Sequence, residues 1–449
     1  MGKRPGPARP FSVVRALAAV LALAGAAAAA EPASGARPDA WWRVFGDPAL
    51  DAVIARVDAA NPTIARYAAR LDGARAAARA QRAETSPTLS LEGGASDAGG
   101  PLINAVGGSG SLFSARAMVS WQADLFGKTS GLREASRDEV IAAAAQRDGV
   151  RLLVESEAVL ARFEALAADA GLDLAQRRLA LASEDAATAA RARDLGLRAA
   201  SDMRAPRDAV AAARIAVDSA RLRRQQALDR LAALMGEREP PPLTGTLASD
   251  APPVPAGLAG DLLTRRPDIG AARARLQASD ARLRATRRAW LPDITLTASG
   301  GAASSTLLGL LEAASRGYGM GLLLATPLFD GGRHSARVAG ARAATDEARA
   351  AYDEQVLAAF RETADCLATL AAARARQAEL AARLADERAA LAAMRRGIAT
   401  GLRSRSAGLA AEGAVLEREE DALHARAETL AAAVRLVRAL GGGWSPTPG

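Results

Sequence analysis

Residues 87–97 read PTLSLEGGASD, and residues 292–302 read PDITLTASGGA. In both stretches a proline precedes a run in which apolar and polar residues alternate, beginning near Leu89 in the first and at Ile294 in the second. Alternation with a period of two is typical of a β-strand with one apolar face. The two prolines lie 205 positions apart, which places the strand signal at equivalent points of two halves of the chain.

The same offset of 205 relates further landmarks, and a repeat of this length indicates two copies of one structural unit. The matched landmarks are Asn61-Pro62 with Arg266-Pro267, Gly196-Leu197 with Gly401-Leu402, and Met235-Gly236 with Leu440-Gly441. The motif Leu125-Phe126-Gly127 matches Leu328-Phe329-Asp330 two residues out of step, which a difference in loop length explains.

Each copy has the same order of predicted elements: a helix, a strand hairpin, a very long helix, a tight turn and a second helix. Proline positions and the change of period set the expected boundaries. Repeat 1 spans residues 61–238, with helices at 62–84, 129–195 and 199–235 and strands at about 87–97 and 113–124. Repeat 2 spans residues 261–444, with helices at 267–290, 333–398 and 404–438 and strands at about 292–302 and 317–327.

The segments outside the two repeats have their own predicted roles. Residues 1–30 combine a basic start, a short apolar run and small residues at Ala28 to Ala30, which predicts a secretory signal peptide. Residues 31–60 and the Pro- and Gly-rich linker 239–260 are expected at mid-height of the helical region, as an equatorial belt. Residues 445–449 form a short tail.

The four predicted strands have about 9 to 11 residues each, enough to cross a bilayer when tilted. A single four-stranded sheet has two open edges, which lipid does not tolerate and which in water invite aggregation. The alternative is a soluble antiparallel sheet with one wet face. Several copies joined in a ring would remove every edge, so we expect a closed cyclic oligomer whose copy number the residues leave open.

The long helices carry apolar residues at seven-residue spacings, from Leu153 to Leu181 in the first copy and from Leu409 to Val437 in the second. A sustained heptad predicts a left-handed supercoil of helices packed on neighbours. An isolated coiled-coil rod would also show this pattern, but it would leave the strands and the repeat unexplained.

Composition and charge exclude several functional classes. The net charge is +8, but the only lysines are Lys3 and Lys128 and the arginines are mixed with acidic residues, so we expect no nucleic-acid partner. Cys366 is the single cysteine, and His334 and His424 are isolated. With no phosphate loop, catalytic triad or zinc spacing, we predict no metal, no cofactor and no catalytic residue, and therefore not an enzyme.

Several motifs along residues 40–444 are shared with a known family. They are Trp41-Trp42 with Phe45 and Asp47-Pro48, the segment Arg265-Arg266-Pro267-Asp268-Ile269, the segment Pro327-Leu328-Phe329-Asp330-Gly331-Gly332, and the ending Leu440 to Trp444. With these motifs the chain resembles the TolC-like outer-membrane factors, in particular the NodT branch, the RND-type outer-membrane efflux lipoproteins.

The resemblance implies a mixed α and β membrane fold and a role in efflux. A homotrimer would form a twelve-stranded outer-membrane β-barrel, four strands per chain, continued by a long periplasmic α-helical coiled-coil barrel. The expected partners are a periplasmic adaptor (membrane fusion protein), an RND-type inner-membrane pump and outer-membrane lipid. The alternatives are the duct of a type I protein secretion system and a periplasmic coiled-coil scaffold without a channel.

Two departures from the branch qualify the resemblance. Branch members usually carry a lipid-modified cysteine just after the signal peptide, and no cysteine occurs in that region here, which argues against a lipid anchor. The family often has an aspartate nine residues beyond the second turn glycine, where this chain has Ala410.

Function is expected at the two helix-to-helix turns, because they end the helical walls. Each contains a glycine suited to the positive φ of a tight turn. By resemblance, adaptor contacts are expected at Gly196, Leu197, Ser201, Gly401, Leu402 and Ser404. Arg403, Arg405 and Glu412 are expected to latch a periplasmic gate that opens by an iris-like untwisting of the helices that follow the turns.

Overall fold

The computed structural model describes residues 40–99, 109–253 and 265–442. The predicted signal peptide and the tail 445–449 lie outside the described residues, as do the first part of segment 31–60 and the last part of the linker 239–260.

Within the described ranges the chain forms helices and strands in the order expected for two copies of one unit. The helices are α1 (Ala49–Ala60), α2 (Pro62–Ala83), α3 (Lys128–Asp194), α4 (Arg204–Leu234), α5 (Pro267–Arg288), α6 (Arg333–Ala399) and α7 (Arg405–Ala439), and the strands are β1 (Thr88–Gly99), β2 (Ser109–Ala123), β3 (Asp293–Ser304) and β4 (Arg316–Ala325). None of the helices among these residues is both long and apolar enough to cross a membrane.

The chain divides into two compact units. The first contains residues 72–142 and 273–351, and with them the whole sheet. Its four strands lie in the order β1-β2-β3-β4, and every neighbouring pair is antiparallel. Within the described residues, neither β1 nor β4 has a further strand on its outer edge.

The strand register collects apolar side chains on one face of the sheet. Leu89 pairs with Val119, Val119 with Ala298, and Ala298 with Met320. Directly paired residues share a face, and residues two apart along a strand share it too. Leu89 and Met320 are strongly exposed, at 62% and 81%. One side of the sheet is therefore apolar and uncovered within this chain.

The opposite face is polar. Thr88 pairs with Ser120, which pairs with Thr297. Further along the same face, Arg116 Nη2 lies 2.5 Å from Glu92 Oε2 across the β1–β2 pair. The period-two pattern of the sequence is thus realised as an amphipathic sheet.

The second unit contains residues 40–71, 143–253, 265–272 and 352–442 among those described, and it holds the main apolar core. A 3₁₀ turn at Trp41–Phe45 and α1 pack their buried side chains, such as Leu50 and Ile54, with those of α3 and α7. Polar groups in this core are paired. The buried Glu155 accepts a hydrogen bond from Trp41 Nε1 at 3.0 Å.

One helix begins later than the sequence suggests. Residues 199–235 were expected to be helical, whereas Ala200–Met203 form a 3₁₀ turn and α4 starts at Arg204. Pro206 explains the difference. Proline has no amide hydrogen and its ring clashes with the carbonyl four residues earlier, so it fits only the first turn of an α-helix.

Candidate functional site

The first helix-to-helix turn closes α3. The amide of Gly196 donates to the carbonyl of Arg193 and that of Leu197 to the carbonyl of Ala192, both at 2.8 Å. Gly196 has φ +72°. These two bonds with a left-handed residue between them form a Schellman cap, which satisfies carbonyls that the helix end leaves free.

The second turn repeats this geometry at the end of α6. The amide of Gly401 donates to Ile398 at 3.0 Å and that of Leu402 to Gly397 at 2.8 Å, and Gly401 has φ +74°. A Cβ added to either turn glycine would meet no atom within 4 Å. Glycine is required here by backbone conformation and not by crowding.

The two turns differ in how the next helix starts. The hydroxyl of Ser404 accepts a hydrogen bond from the amide of Ala407 at 3.2 Å and so caps α7. In the first turn the corresponding position is Ala199, which has no such side chain. Ser201 instead donates to the carboxylate of Asp202 at 3.3 Å.

All six predicted adaptor-contact residues are exposed: Gly196, Leu197, Ser201, Gly401, Leu402 and Ser404. Leu197 and Leu402 are 78% and 80% exposed. In a Schellman cap the residue at this place often packs back on its own helix. Here both leucines remain uncovered, so each turn exposes one apolar side chain.

Of the three predicted gate residues, the structure brings two together. Arg405 Nη1 lies 3.3 Å from Glu412 Oε1 on the same helix. The stronger partner of Arg405 is Glu184 on α3, at 2.6 Å from Nη2 and 3.0 Å from Nε. The hydrogen bonds that the Arg405 guanidinium donates to Glu184 raise the pKa of Arg405 above its ordinary value. This ion pair joins the start of α7 to α3.

Arg403 does not take part in this ion-pair cluster. Its side chain lies over the last turn of α6, where its Cγ would be 2.8 Å from a Cβ added to Gly397. Among the described residues Arg403 has no acidic partner within ion-pair distance.

Sequence reasoning missed two members of the cluster, Glu184 and Arg395. Arg395 Nη2 on α6 lies 3.5 Å from Glu412 Oε1, so Glu412 contacts both Arg395 and Arg405. Seven residues further along α7, Glu419 accepts from Arg388 of α6 at 2.7 Å and from Arg177 of α3 at 3.1 Å. The heptad spacing of these charges was the available signal.

The charged residues form two layers, one with Glu184, Arg395 and Glu412 and the other with Arg177, Arg388 and Glu419. Together with an apolar layer between them, they line one cleft of about 720 Å³ between α3, α6 and α7. The apolar layer consists of Leu181, Leu391 and Leu416, of which the last two are buried. In these layers, the ion pairs Arg405–Glu184 and Arg177–Glu419 join α3 to α7. No group of three or more His, Cys, Asp or Glu side chains in the described ranges is arranged to hold a metal ion.

Comparison with known families gives two matches along the chain. The family model described as outer membrane efflux protein matches residues 53–237 and again residues 258–442. The two matches are offset by 205 residues, the offset found between the landmarks, and the internal repeat is confirmed.

Curated relatives and solved structures agree with this match. The toluene efflux pump outer membrane protein TtgF of Pseudomonas putida is 30% identical over 298 residues, which cover 65% of this chain and 62% of that protein. In this match the chain spans less than two thirds of the relative's length. The solved structure of CusC superposes with a TM-score of 0.81 at 26% identity, covering 92% of this chain and 99% of that chain. The open state of the MtrE outer membrane channel of Neisseria gonorrhoeae superposes with a TM-score of 0.79 at 26% identity, covering 88% and 89%.

Proposed function

The chain belongs to the outer membrane efflux protein family, and from this membership we propose that it is the outer-membrane channel of a tripartite efflux system. In this role it receives substrates from an RND-type inner-membrane pump and a periplasmic adaptor and passes them to the exterior. The chain itself is a conduit and performs no chemistry. It is proposed to act as a homotrimer in the bacterial outer membrane with its helices in the periplasm.

The amphipathic sheet with two free edges carries this proposal. An unpaired strand edge in lipid costs several kcal/mol for each unsatisfied backbone group, so a membrane-inserted sheet must close on itself. Three copies joined from β4 of one to β1 of the next supply twelve strands. The apolar face with Leu89 and Met320 then meets lipid, and the polar face with Glu92 and Arg116 lines the pore.

The adaptor is proposed to bind at the two turns. Leu197 and Leu402 offer the exposed apolar contacts, and the turn glycines Gly196 and Gly401 allow close approach of a partner backbone. Ser201 and Ser404 supply hydrogen-bonding groups beside them. The selection of substrates is proposed to lie with the pump, because a wide water-filled pore discriminates little.

The gate is proposed to be the charged cleft behind the second turn. Arg405 holds α7 to α3 through Glu184, while Arg395 holds α6 to α7 through Glu412. Opening then consists of releasing the α3–α7 contacts so that α6 and α7 move together, a switch between two packings that adaptor binding biases.

Planar-bilayer recording tests the proposed function directly. Purified protein added to one side of a bilayer is expected to give discrete conductance steps, because each inserted particle is a water-filled pore. Heat-dissociated protein from the same preparation is the control and should give none. Folded protein that associates with the bilayer and never conducts would contradict a channel.

A further inference from the structure

The loop between β3 and β4 lies at the end of the sheet opposite to α5 and α6. β3 follows α5 and β4 precedes α6, so the chain enters and leaves this hairpin at its other end. Within the loop, Leu308–Leu311 form a 3₁₀ turn. With the helices in the periplasm, as in the proposed function, this loop lies on the exterior side of the membrane.

The loop is held against the apolar face of the sheet. Ser304 lies on that face, because it is six residues along β3 from Ala298. The amide of Thr306 donates to the Ser304 hydroxyl at 3.3 Å, and the amide of Gly309 donates to the Thr306 hydroxyl at 3.2 Å. A Cβ added to Gly309 would overlap Ser304 Oγ, so the 3₁₀ turn contacts the outer end of the apolar face directly.

Three leucines of the loop are exposed beside this face. Leu307, Leu308 and Leu311 are 65%, 79% and 75% exposed. An exposed cluster of branched apolar side chains that continues an apolar surface indicates a site that another molecule covers. A short segment of this kind is suited to the boundary between lipid headgroups and acyl chains, where its apolar side chains insert.

The apolar face of β4 changes in character toward the loop. Every second residue of β4 lies on this face, and from the helical end they are Leu324, Leu322, Met320, Tyr318 and Arg316. Arg316 lies about 27 Å along the strand from Leu324, or about 20 Å across a bilayer at the usual tilt. Apolar residues followed by an aromatic residue and then a cation match the order of hydrocarbon, interface and headgroup. This order places Arg316 at the level of the lipid phosphates on the outer side.

Arg316 is exposed, and its guanidinium is held beside the loop. Its Nη2 donates to the carbonyl oxygen of Leu311 at 3.2 Å. Among the described residues Arg316 has no acidic partner within ion-pair distance. A guanidinium has five N–H donors, so donors remain for a second acceptor, and phosphate oxygens match their forked geometry.

On the basis of the proposed function, we propose that the β3–β4 loop and the outer end of β4 bind a phosphate-bearing lipid of the outer leaflet. The Arg316 guanidinium binds the phosphate of the headgroup. Leu307, Leu308 and Leu311 contact the upper part of the acyl chains, and the Tyr318 ring contacts them at the interface. Because the cation and the leucines are adjacent, the site favours a lipid over a soluble anion, which would use the cation alone.

An ion pair with a neighbouring copy is the alternative use of Arg316. Asp97 lies on the same face of the sheet near the outer end of β1, the strand that adjoins β4 of another copy in the proposed ring. Its carboxylate accepts a hydrogen bond from the Ser111 hydroxyl at 3.2 Å within its own chain. The bond from Arg316 to Leu311 holds the guanidinium at its own loop, which favours the lipid.

Native mass spectrometry of purified trimers titrated with lipid A tests the site. The parent is expected to bind lipid A, and Arg316→Gln should weaken binding about fivefold, the usual effect of one cation at an anionic lipid surface. Leu308→Ser combined with Leu311→Ser should also weaken binding, because the acyl chains lose apolar contacts. Arg214→Gln, which removes an exposed arginine of α4, is the matched control and should bind like the parent.

Lipid A without its phosphates separates the two kinds of contact. The parent and Arg316→Gln should bind this probe equally, whereas the double leucine variant should bind it less tightly than the parent. Inorganic phosphate at the concentration of lipid A should not displace the lipid. Displacement would show a simple anion site and overturn the proposal.

The remaining outcomes separate the lipid site from the proposed channel. Unchanged binding of phosphorylated lipid A in Arg316→Gln, or in the double leucine variant, overturns the site in a protein that still conducts. A lower dissociation temperature of Arg316→Gln trimers in lipid-free detergent assigns the arginine to the neighbouring copy and also overturns the site. Protein that neither forms trimers nor conducts contradicts the proposed function, and the lipid site with it.

Discussion

At the scale of single residues, the charged cleft behind the second turn contains both residues that the sequence predicted and residues that it did not. Arg405 and Glu412 were predicted as gate residues because they lie close to the second turn. Glu184 lies on α3 and Arg395 on α6. Only folding brings Glu184 to the guanidinium of Arg405 and Arg395 to the carboxylate of Glu412. Arg403 was grouped with them by proximity in sequence, but it points back onto the end of α6.

Removal of Arg405 is expected to open the proposed channel. Arg405→Ala eliminates the ion pairs to both Glu184 and Glu412, and Glu412→Ala eliminates those to Arg405 and Arg395. Each should raise single-channel conductance in a planar bilayer above that of the parent. Arg403→Ala, whose side chain has no ion pair to lose, is the control and should conduct like the parent. Equal conductance in all four proteins would remove these residues from the gate.

Asp138 of α3 should make stability depend on pH. Burial raises the pKa of its carboxyl, as do the charges of Glu134 and Glu139, against the opposing effect of Arg284. Because its pKa is higher in the folded chain than in the unfolded chain, the protonated form contributes stability at low pH. That contribution is lost as the pH rises from the unfolded pKa through the folded one.

Asp138→Asn should therefore raise the melting temperature at about pH 7.5, by about 1–2 °C since the site is partly exposed. At about pH 3.5, below the unfolded pKa, the two proteins should melt together. The measurement is thermal unfolding followed by circular dichroism in detergent. A substitution that destabilises at neutral pH would show that the carboxylate makes a favourable contact there.

At the scale of helices and strands, the positions of proline and glycine predicted most of the element boundaries. Both long helices end at a glycine with positive φ, and both hairpins follow a proline. The short 3₁₀ turn at Trp41–Phe45 and α1 went unassigned, because their apolar residues are too few to establish a period. The late start of α4 depends on Pro206. It can be predicted from the sequence only when the clash between the Pro206 ring and the carbonyl four residues earlier is considered.

Gly401 in the second turn and Gly441 after the end of α7 both have positive φ, but they should differ in how much an added side chain costs. Gly401→Ala introduces positive φ at a non-glycine residue with open space around it, a cost of about 1–2 kcal/mol. Gly441→Ala adds a clash, since its Cβ would lie 2.8 Å from the carbonyl oxygen of Arg265. Denaturant unfolding of the two variants should rank Gly441→Ala as clearly less stable. Equal losses would mean that the chain around Gly441 relaxes without cost.

The two faces of the sheet should respond differently to charge. Met320→Arg places a guanidinium on the apolar face, at a cost of about 2–4 kcal/mol near the middle of a bilayer. Thr297→Arg places the same group on the polar face, where water is available. Trimer yield from the outer membrane should fall for the first and persist for the second. The reverse order would mean that the polar face meets lipid.

At the scale of the whole molecule, the sequence predicted that one structural unit occurs twice. It did not predict that the two copies make different contacts. Residues at the 205 offset from Glu412 and Glu419 are Arg207 and Arg214, which are exposed and carry the opposite charge. The two carboxylates of α7 that hold the ion pairs of the cleft therefore have no acidic counterpart at the equivalent positions of α4. A repeat search detects shared positions, but it does not reveal which copy meets which neighbour.

The mass of the assembled particle tests the central claim most directly. Protein extracted from the outer membrane in mild detergent should give, by light scattering corrected for detergent, a protein mass close to three times that of one mature chain. It should fall to the mass of one chain only after denaturation. A folded, water-soluble particle of one chain recovered from the periplasm would contradict the account, since a four-stranded sheet with both edges free would then need no ring.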